Sequence, residues 1–307
     1  MNKVHIIGGG YMQQFFQTFL NSLQNIAIYS MATIGIVLIF RTSITTNFAQ
    51  GMMGTFAAFF ATNLVLYVNP NIPFWVAIVI GALIAFCIGY VIDAGIIRQG
   101  NSVTPFGKQM ITMGIMMIFY AAMPPLFVSV TTRTPTVPKF SYSNIDFSFL
   151  GQTLYITEHA FICVIIAVVG LSILFAVLKF TKWGIALRAT ASSETVAQMM
   201  GVNTKLITGV TWGIAGSFVA IAGCSTGMAL NAGMMGQVQI FGFLACVLGG
   251  VSSFWAPITG CAIIPILLNY SAIFSPKWAV LISFSIIMLI ILIRPNGLFG
   301  KKIIKKV

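Results

Sequence analysis

Trp183–Asn203 reads WGIALRATASSETVAQMMGVN. The stretch is polar, holds Arg188 and Glu194, follows Lys182, and is punctuated by Gly184 and Gly201. Long apolar runs flank it on both sides. It decides the fold because each flanking run is long enough to cross a bilayer, which takes about 20 apolar residues. Ser192 or Ser193 can cap a short helix, with Glu194 in the first turn, where a negative charge meets the helix dipole favourably. Val196, Met199 and Met200 form an apolar stripe at helical spacing. Gly201 suits the left-handed position that ends a helix, and Asn203 can cap the next span. The stretch therefore predicts a short amphipathic helix between two spans. Such a helix either lies on lipid or inserts its stripe into a groove on a soluble partner. Its short length and few bases favour the partner.

Composition extends this reading to the whole chain. Of 307 residues, 58% are hydrophobic and 7% charged, against about 25% charged in soluble domains. Mean hydropathy is +0.99. A soluble fold of this size cannot hide so much apolar surface, so the chain reads as a polytopic membrane protein in contact with lipid. The net charge of +12 comes from sixteen Lys and Arg against four acids. In a soluble protein that balance suggests nucleic acid. Here the bases sit in short loops between apolar runs, so membrane topology accounts for them and no nucleic-acid partner is expected. The acids are Asp93, Asp146, Glu158 and Glu194, too few for a carboxylate relay that drives transport with protons or sodium. The five cysteines all fall in apolar runs without CxxC spacing, which reads as buried small hydrophobes. His5 and His159 have no metal-ligand spacing.

Taken in order, residues 1–11 read as a short tail without a cleavable signal. Phe15–Phe40 is apolar but interrupted by Gln17, Asn21, Gln24 and Asn25, so it is one long tilted helix or an interfacial segment leading into a span. Arg41–Gly54, RTSITTNFAQGMMG, is polar yet lies between two spans. Ser43, Asn47, Gln50 and Gly51 are the candidate path-lining residues there; a tight turn that satisfies freed backbone is the competing reading. Spans follow at about Met52–Val68, Phe74–Ile97 and Phe106–Val128. Asp93 in the second of these is a candidate gate residue or the partner of a nearby arginine. The methionines at 110, 113, 116 and 117 read as core. Ser129–Thr157, with Pro135 and Pro138, is a loop. Further spans are expected at about His159–Phe180 and Leu206–Ala229; the glycines of the latter suit close helix packing. Val238–Val251 and Ile258–Tyr270 surround GGVSSFWAP, Gly249–Pro257, and read as two short spans or as broken helices. The last span is Trp278–Ile293, before a tail with Lys301, Lys302, Lys305 and Lys306.

If 249–257 is a turn on the same side, the loops at Arg41, at Arg98 and Lys108, from Lys179 to Lys205, and after Arg294 share one side of the membrane. They hold most of the sixteen bases. The positive-inside rule makes that side cytoplasmic, with the N-terminus outside and the C-terminus inside.

The stretch GIALRATASSETVAQMMGVNT resembles the cytoplasmic loop of the LivH-type permeases of branched-chain amino acid ABC importers. NFAQG, Asn47–Gly51, is similar to the NFAHG of that family, with Gln50 in place of its His and Met52 where an acid is common. VLGGVSSFWAPITG resembles its glycine-rich segment, and RPNGLFG, Arg294–Gly300, its C-terminal motif. Together these span about residues 20–300. The resemblance implies an all-α, BtuC-like permease with about 8–9 transmembrane segments, in one transmembrane domain spanning 1–307. It further implies a cytoplasmic coupling loop at 183–203 and an extracytoplasmic loop at 129–157. Arg188, Glu194, Ala197 and Gly201 would engage the ATPase. The implied partners are a LivM-like second permease, two ATP-binding subunits and an extracytoplasmic substrate-binding protein, in the inner membrane. ATP would be held by those partners, consistent with the lack of a GxxxxGK[ST] loop here. The substrate would be a branched-chain or other hydrophobic amino acid, with urea or short amides, nucleosides or sugars as alternatives in the same family. A secondary transporter would need intramembrane acids, and an enzyme would need a catalytic constellation that the sequence lacks.

Overall fold

The computed structural model describes residues 3–100, 103–149, 152–250 and 254–299. Among the described residues, seven helices are long and apolar enough to cross a membrane: Met12–Ser43, Gln50–Val68, Phe74–Ile97, Pro105–Leu126, Glu158–Phe180, Thr204–Cys224 and Ala256–Phe274. Gly236–Gly249 and Ala279–Ile293 are shorter apolar helices. The chain is a multi-pass, mostly helical membrane protein. Helices dominate because lipid offers no partners for backbone N–H and C=O groups, so each span must satisfy its own.

The first helix, α1 (Lys3–Ser43), is continuous, so residues 3–11 belong to it and not to a tail. Next come α2 (Gln50–Asn63) and α3 (Phe74–Ile92), extended by π turns at Leu64–Val68 and Asp93–Ile97. Then follow α4 (Pro105–Leu126) and the short α5 (Val128–Arg133). The expected loop at 129–157 also holds an antiparallel hairpin, β1 (Asn144–Phe149) and β2 (Gln152–Thr157), with Asn144 opposite Thr157. The remaining helices are α6 (Glu158–Phe180), α7 (Lys182–Ser192), α8 (Glu194–Met199), α9 (Thr204–Cys224), α10 (Gly236–Gly249), α11 (Ala256–Phe274) and α12 (Ala279–Ile293).

α1 and α9 form the enclosed centre. α9 packs on α1, α2 and α3, and α1 packs also on α6, α10 and α11. Small residues permit this. A Cβ at Gly216 would overlap the Ala85 carbonyl of α3, and one at Gly223 the Gly54 carbonyl of α2. The glycines of this span therefore serve close helix contact. α10 and α11 form a helical hairpin, with Gly260 against the Ala245 backbone. The two short apolar pieces thus run antiparallel side by side; Val251–Ser253 of the break, and the tail lysines 301, 302, 305 and 306, lie outside the described residues.

Two expectations about burial are corrected. The methionine stripe of α4 is core only at Met116, which packs against it; Met110, Met113 and Met117 are exposed on the outside of the bundle. Cys87 is exposed too, whereas Cys163, Cys224, Cys246 and Cys261 are buried. Lipid solvates such side chains as well as a core does, so helical apolar spacing does not distinguish the two surroundings.

Candidate functional site

Two polar regions stand out, one at an end of the bundle and one in its interior. The first gathers Ser43, Asp93, Arg98, Lys108, Glu194, Gln198, Lys205 and Thr208 around a pocket of about 130 Å³. α7 and α8 roof this end. The α7 N-terminus is capped by Thr181, whose Oγ1 accepts from Gly184 N at 3.1 Å. α8 is capped by Ser193, whose Oγ accepts from Val196 N at 3.4 Å, and Glu194 occupies its first turn. The helix stops at Gly201, which has φ +80. Gly201 N donates to Gln198 O at 2.9 Å and Val202 N to Ala197 O at 3.0 Å, the paired closure of a Schellman motif. Asn203 Oδ1 then caps α9 by accepting from Leu206 N at 3.2 Å. The short helix expected between the Ser192/Ser193 cap and Gly201 is α8; α7 before it was not anticipated, and the two break at Ser193, whose extended backbone caps the second.

Side-chain directions follow from these caps. Ala197 points inward and is buried, whereas Val196, Met199 and Met200 are exposed, the last two at 81% and 80%. Arg188 on α7, Glu194 and Gly201 are exposed as well. The four expected coupling residues thus lie along one surface segment, with Ala197 on its inner side.

Behind α8 lies a group that joins three elements. The π turn matters here. In an α-helix, residues five apart are about 140° apart around the axis; the wider turn closed by Arg98 N to Asp93 O at 2.9 Å aligns them instead. Arg98 ion-pairs with the buried Asp93 and donates to Lys205 O, and its Nη2 lies 3.1 Å from Thr208 Oγ1. Thr208 donates to Asp93 Oδ2 at 3.1 Å. Gln198 of α8 reaches the first residue of α9, donating to Thr204 Oγ1 at 2.9 Å. Asp93 is therefore the partner of an arginine, the second of the two roles open to it. That arginine is Arg98, next to the span's end; Thr208 was not anticipated, because its separation of 115 residues from Asp93 hides the pairing.

The interior region lies where α2 begins. Gln50 Nε2 donates to Ala32 O of α1 at 2.8 Å. Gln239 of α10 bridges the α2 start: its Oε1 accepts from Gly51 N at 2.5 Å and its Nε2 donates to Asn47 O at 2.8 Å. Asn47 Oδ1 accepts from Ala49 N at 2.9 Å. Asn47, Gln50 and Gln239 are all buried. Gln50 Oε1 and Asn47 Nδ2 have no hydrogen-bond partner among the described residues, a state that costs about 1–3 kcal/mol for each group. Of the expected path residues, Asn47, Gln50 and Gly51 therefore come together, while Ser43 belongs to the end pocket and accepts from Trp212 Nε1 at 3.2 Å. Gln239 was missed because a lone glutamine in an apolar run carries no spacing signal.

At the opposite end, His159 ties the 129–157 segment down. Its Nδ1 accepts from Phe140 N at 3.2 Å, which leaves Nε2 protonated to donate to Ser225 O at 3.1 Å. Gln17 of α1 holds β2 through Tyr155 N and O, at 3.1 and 2.8 Å. Bases separate by end. Arg41, Arg98, Lys108, Lys179, Lys182, Arg188, Lys205 and Arg294 lie toward the α7–α8 end, and Arg133, Lys139 and Lys277 toward the hairpin end. The two late glycine motifs also meet at the α7–α8 end: Leu298 N donates to Leu248 O at 2.8 Å and Phe299 N to Gly249 O at 3.1 Å, covering the last carbonyls of α10.

Comparison with known proteins agrees with this architecture. The high-affinity branched-chain amino acid transport system permease protein BraD of Pseudomonas aeruginosa is 24% identical over 309 residues, covering 95% of this chain and 98% of BraD. LivH of Escherichia coli, a permease protein of the same description, is 23% identical over 306 residues with the same coverage. A probable branched-chain amino acid transport permease protein LivH of Methanocaldococcus jannaschii is 27% identical over 212 residues, 66% of this chain and 64% of its own. No solved structure matches, so the BtuC-like label rests on the sequence resemblance. The family described as branched-chain amino acid transport system, permease component, matches residues 18–292. A membrane bundle with a capped polar roof at one end and a polar break in its interior is therefore a member of that permease family, and the chain is a transporter component.

Proposed function

We propose that this chain is the inner-membrane permease subunit of an ATP-driven importer for branched-chain or other hydrophobic amino acids. Its partners are a second, LivM-like permease, two ATP-binding subunits and an extracytoplasmic binding protein that delivers substrate. ATP is bound by the partner ATPases, and this chain performs no catalysis. The α7–α8 end faces the cytoplasm, and so does the C-terminus; the N-terminus and residues 129–157 lie outside. The distribution of bases between the two ends supports that orientation.

The observation that carries the coupling role is the α8 surface. A helix capped at both ends displays Val196, Met199 and Met200 where no described residue covers them. Exposed methionines suit an adaptable protein contact. Closure of the ATPase pair pushes on α8. The push passes through Ala197 and the Gln198–Thr204 contact to α9, and through Arg98 to α3. Rigid-body rocking of these helices then opens the interior region to one side at a time. Glu194, Arg188 and Gly201 hold the docking surface in register.

Reconstitution with the partner subunits in proteoliposomes tests the reading. ATP-dependent accumulation of labelled leucine, with little uptake of urea, nucleosides or sugars, is the expected result. Uptake of urea or nucleosides but not leucine moves the substrate elsewhere in the family. Uptake that persists without the ATPases overturns the ATP-driven mechanism.

A further inference from the structure

The N-terminus of α2 lies inside the protein. α2 begins at Gln50, which bonds Ala32 of α1. From Ala32 to the Ser43 end of α1 is roughly 17 Å at 1.5 Å per residue, so this 14-residue helix starts near mid-depth of an apolar layer about 30 Å thick. Its N-cap residue, Ala49, supplies no side-chain cap. The Gly51 N–H is satisfied from another helix, by Gln239 Oε1.

Two polar atoms beside this helix end are buried and unpartnered, Gln50 Oε1 and Asn47 Nδ2. Neither is an exchangeable assignment of the amide. Gln50 must present its nitrogen to the Ala32 carbonyl, which leaves the oxygen free, and Asn47 must present its oxygen to the Ala49 N–H, which leaves the nitrogen free. The crevice therefore presents one unused acceptor, Gln50 Oε1, and the positive end of a helix dipole whose first-turn N–H is covered by a neutral amide; Asn47 lies in the turn before it and does not line it. Ile36, Val219 and Met235 complete its wall. No charged side chain is among the residues lining it.

We infer that this crevice is the seat for the zwitterionic head of the transported α-amino acid, and that Gln239 is the latch that closes it. The inference rests on the transport role proposed above. In the open state the substrate carboxylate takes the place of Gln239 Oε1 on the Gly51 N–H. The ammonium donates to Gln50 Oε1, and the aliphatic side chain lies on the apolar wall. A zwitterion matches the helix end and the unused acceptor and adds no net charge to the interior. Urea has no anion for the helix end. As described, the crevice is too narrow for a water-sized sphere, so entry requires α10 to withdraw from α2. α10 lies between α2 and α11, and its far end is held by Leu298 and Phe299. It is thereby placed to make that movement.

The test uses the full complex with its binding protein in proteoliposomes, with leucine, urea and a nucleoside as labelled probes. Gln50→Met removes the unused acceptor while keeping an unbranched side chain; Gln239→Glu places a permanent carboxylate at the helix end. Both are expected to lower leucine uptake at least tenfold. Gln50→Met is also expected to leave the melting temperature near that of the wild type, because the lost bond to Ala32 O is offset by removal of a buried unpaired oxygen; a purely structural glutamine would show a lower melting temperature together with the lost uptake. Wild-type leucine uptake with both variants within twofold of it overturns the seat and leaves the transport role standing. Should Gln50→Met fail to assemble, Gln239→Glu decides alone. Uptake of urea or nucleoside without leucine by the wild type overturns the seat together with the amino-acid reading.

Discussion

Val202 donates its N–H to the carbonyl of Ala197 at 3.0 Å, across a left-handed Gly201 with φ +80. The bond seals the last turn of α8 and turns the chain into α9. No described residue lies within 4 Å of where a Cβ on Gly201 would stand, so the requirement for glycine there is conformational and not steric. Gly201→Ala should cost about 1–2 kcal/mol locally and fray α8. On the proposed coupling role, the expected outcome is normal membrane insertion with ATP hydrolysis no longer matched to uptake. Parallel assays of phosphate release and leucine accumulation check it; a wild-type ratio of the two refutes the coupling role.

Glu194 lies in the first turn of α8, exposed, with no ion pair to any described residue. On the proposed coupling role, its value lies in the partner that docks on it. Glu194→Lys should weaken retention of the ATPases during affinity purification of the complex and lower uptake several-fold. The isolated permease should insert and melt as the wild type does.

Asp93 is buried and its charge is opposed by Arg98. Asp93→Ala strands a mostly buried guanidinium, a change that costs about 3–5 kcal/mol where one partner of a buried pair is removed. Thermal unfolding of the detergent-solubilised protein should show that loss. The double variant Asp93→Ala/Arg98→Ala should recover part of it, because neither charge is then left alone. Failure of the double variant to recover any stability would mean the contacts of Arg98 with Lys205 O and Thr208 outweigh the ion pair.

Gly216 faces the Ala85 backbone with no room for a side chain. Gly216→Val must push α9 off α3, an overpacking change of about 1–3 kcal/mol or more. Lower yield of monodisperse protein on size-exclusion chromatography is expected. Gly114, where a Cβ would meet nothing within 4 Å, should accept alanine without effect on yield.

His159 clasps Phe140 N and Ser225 O. His159→Ala should loosen the segment before β1 and speed tryptic cleavage after Lys139. The cleavage should occur in right-side-out vesicles and be absent in inverted ones. The reverse pattern would invert the proposed orientation.

Much of this architecture was readable from the chain itself. Phe74–Ile97 coincides with a span as written, and Ser193, Gly201 and Asn203 mark their helix ends because caps are local: a hydroxyl, a missing Cβ and a short amide act on backbone two to four residues away. The membrane class and the unequal distribution of bases also follow from composition and order alone. Other features required the folded chain. Met113 and Cys87 sit in apolar runs like those of the core yet face outward, because lipid and protein interior reward apolar side chains alike. Ser43 and Asn47 are four residues apart but serve different regions, since the chain turns inward between them with Ile44 at φ +49. Gln239 meets Gly51 across 188 residues. That meeting depends on how closely α1, α2, α9 and α10 approach at their small residues. Only packing decides such distances, and so only the tertiary structure discloses the unpaired amides at the buried start of α2.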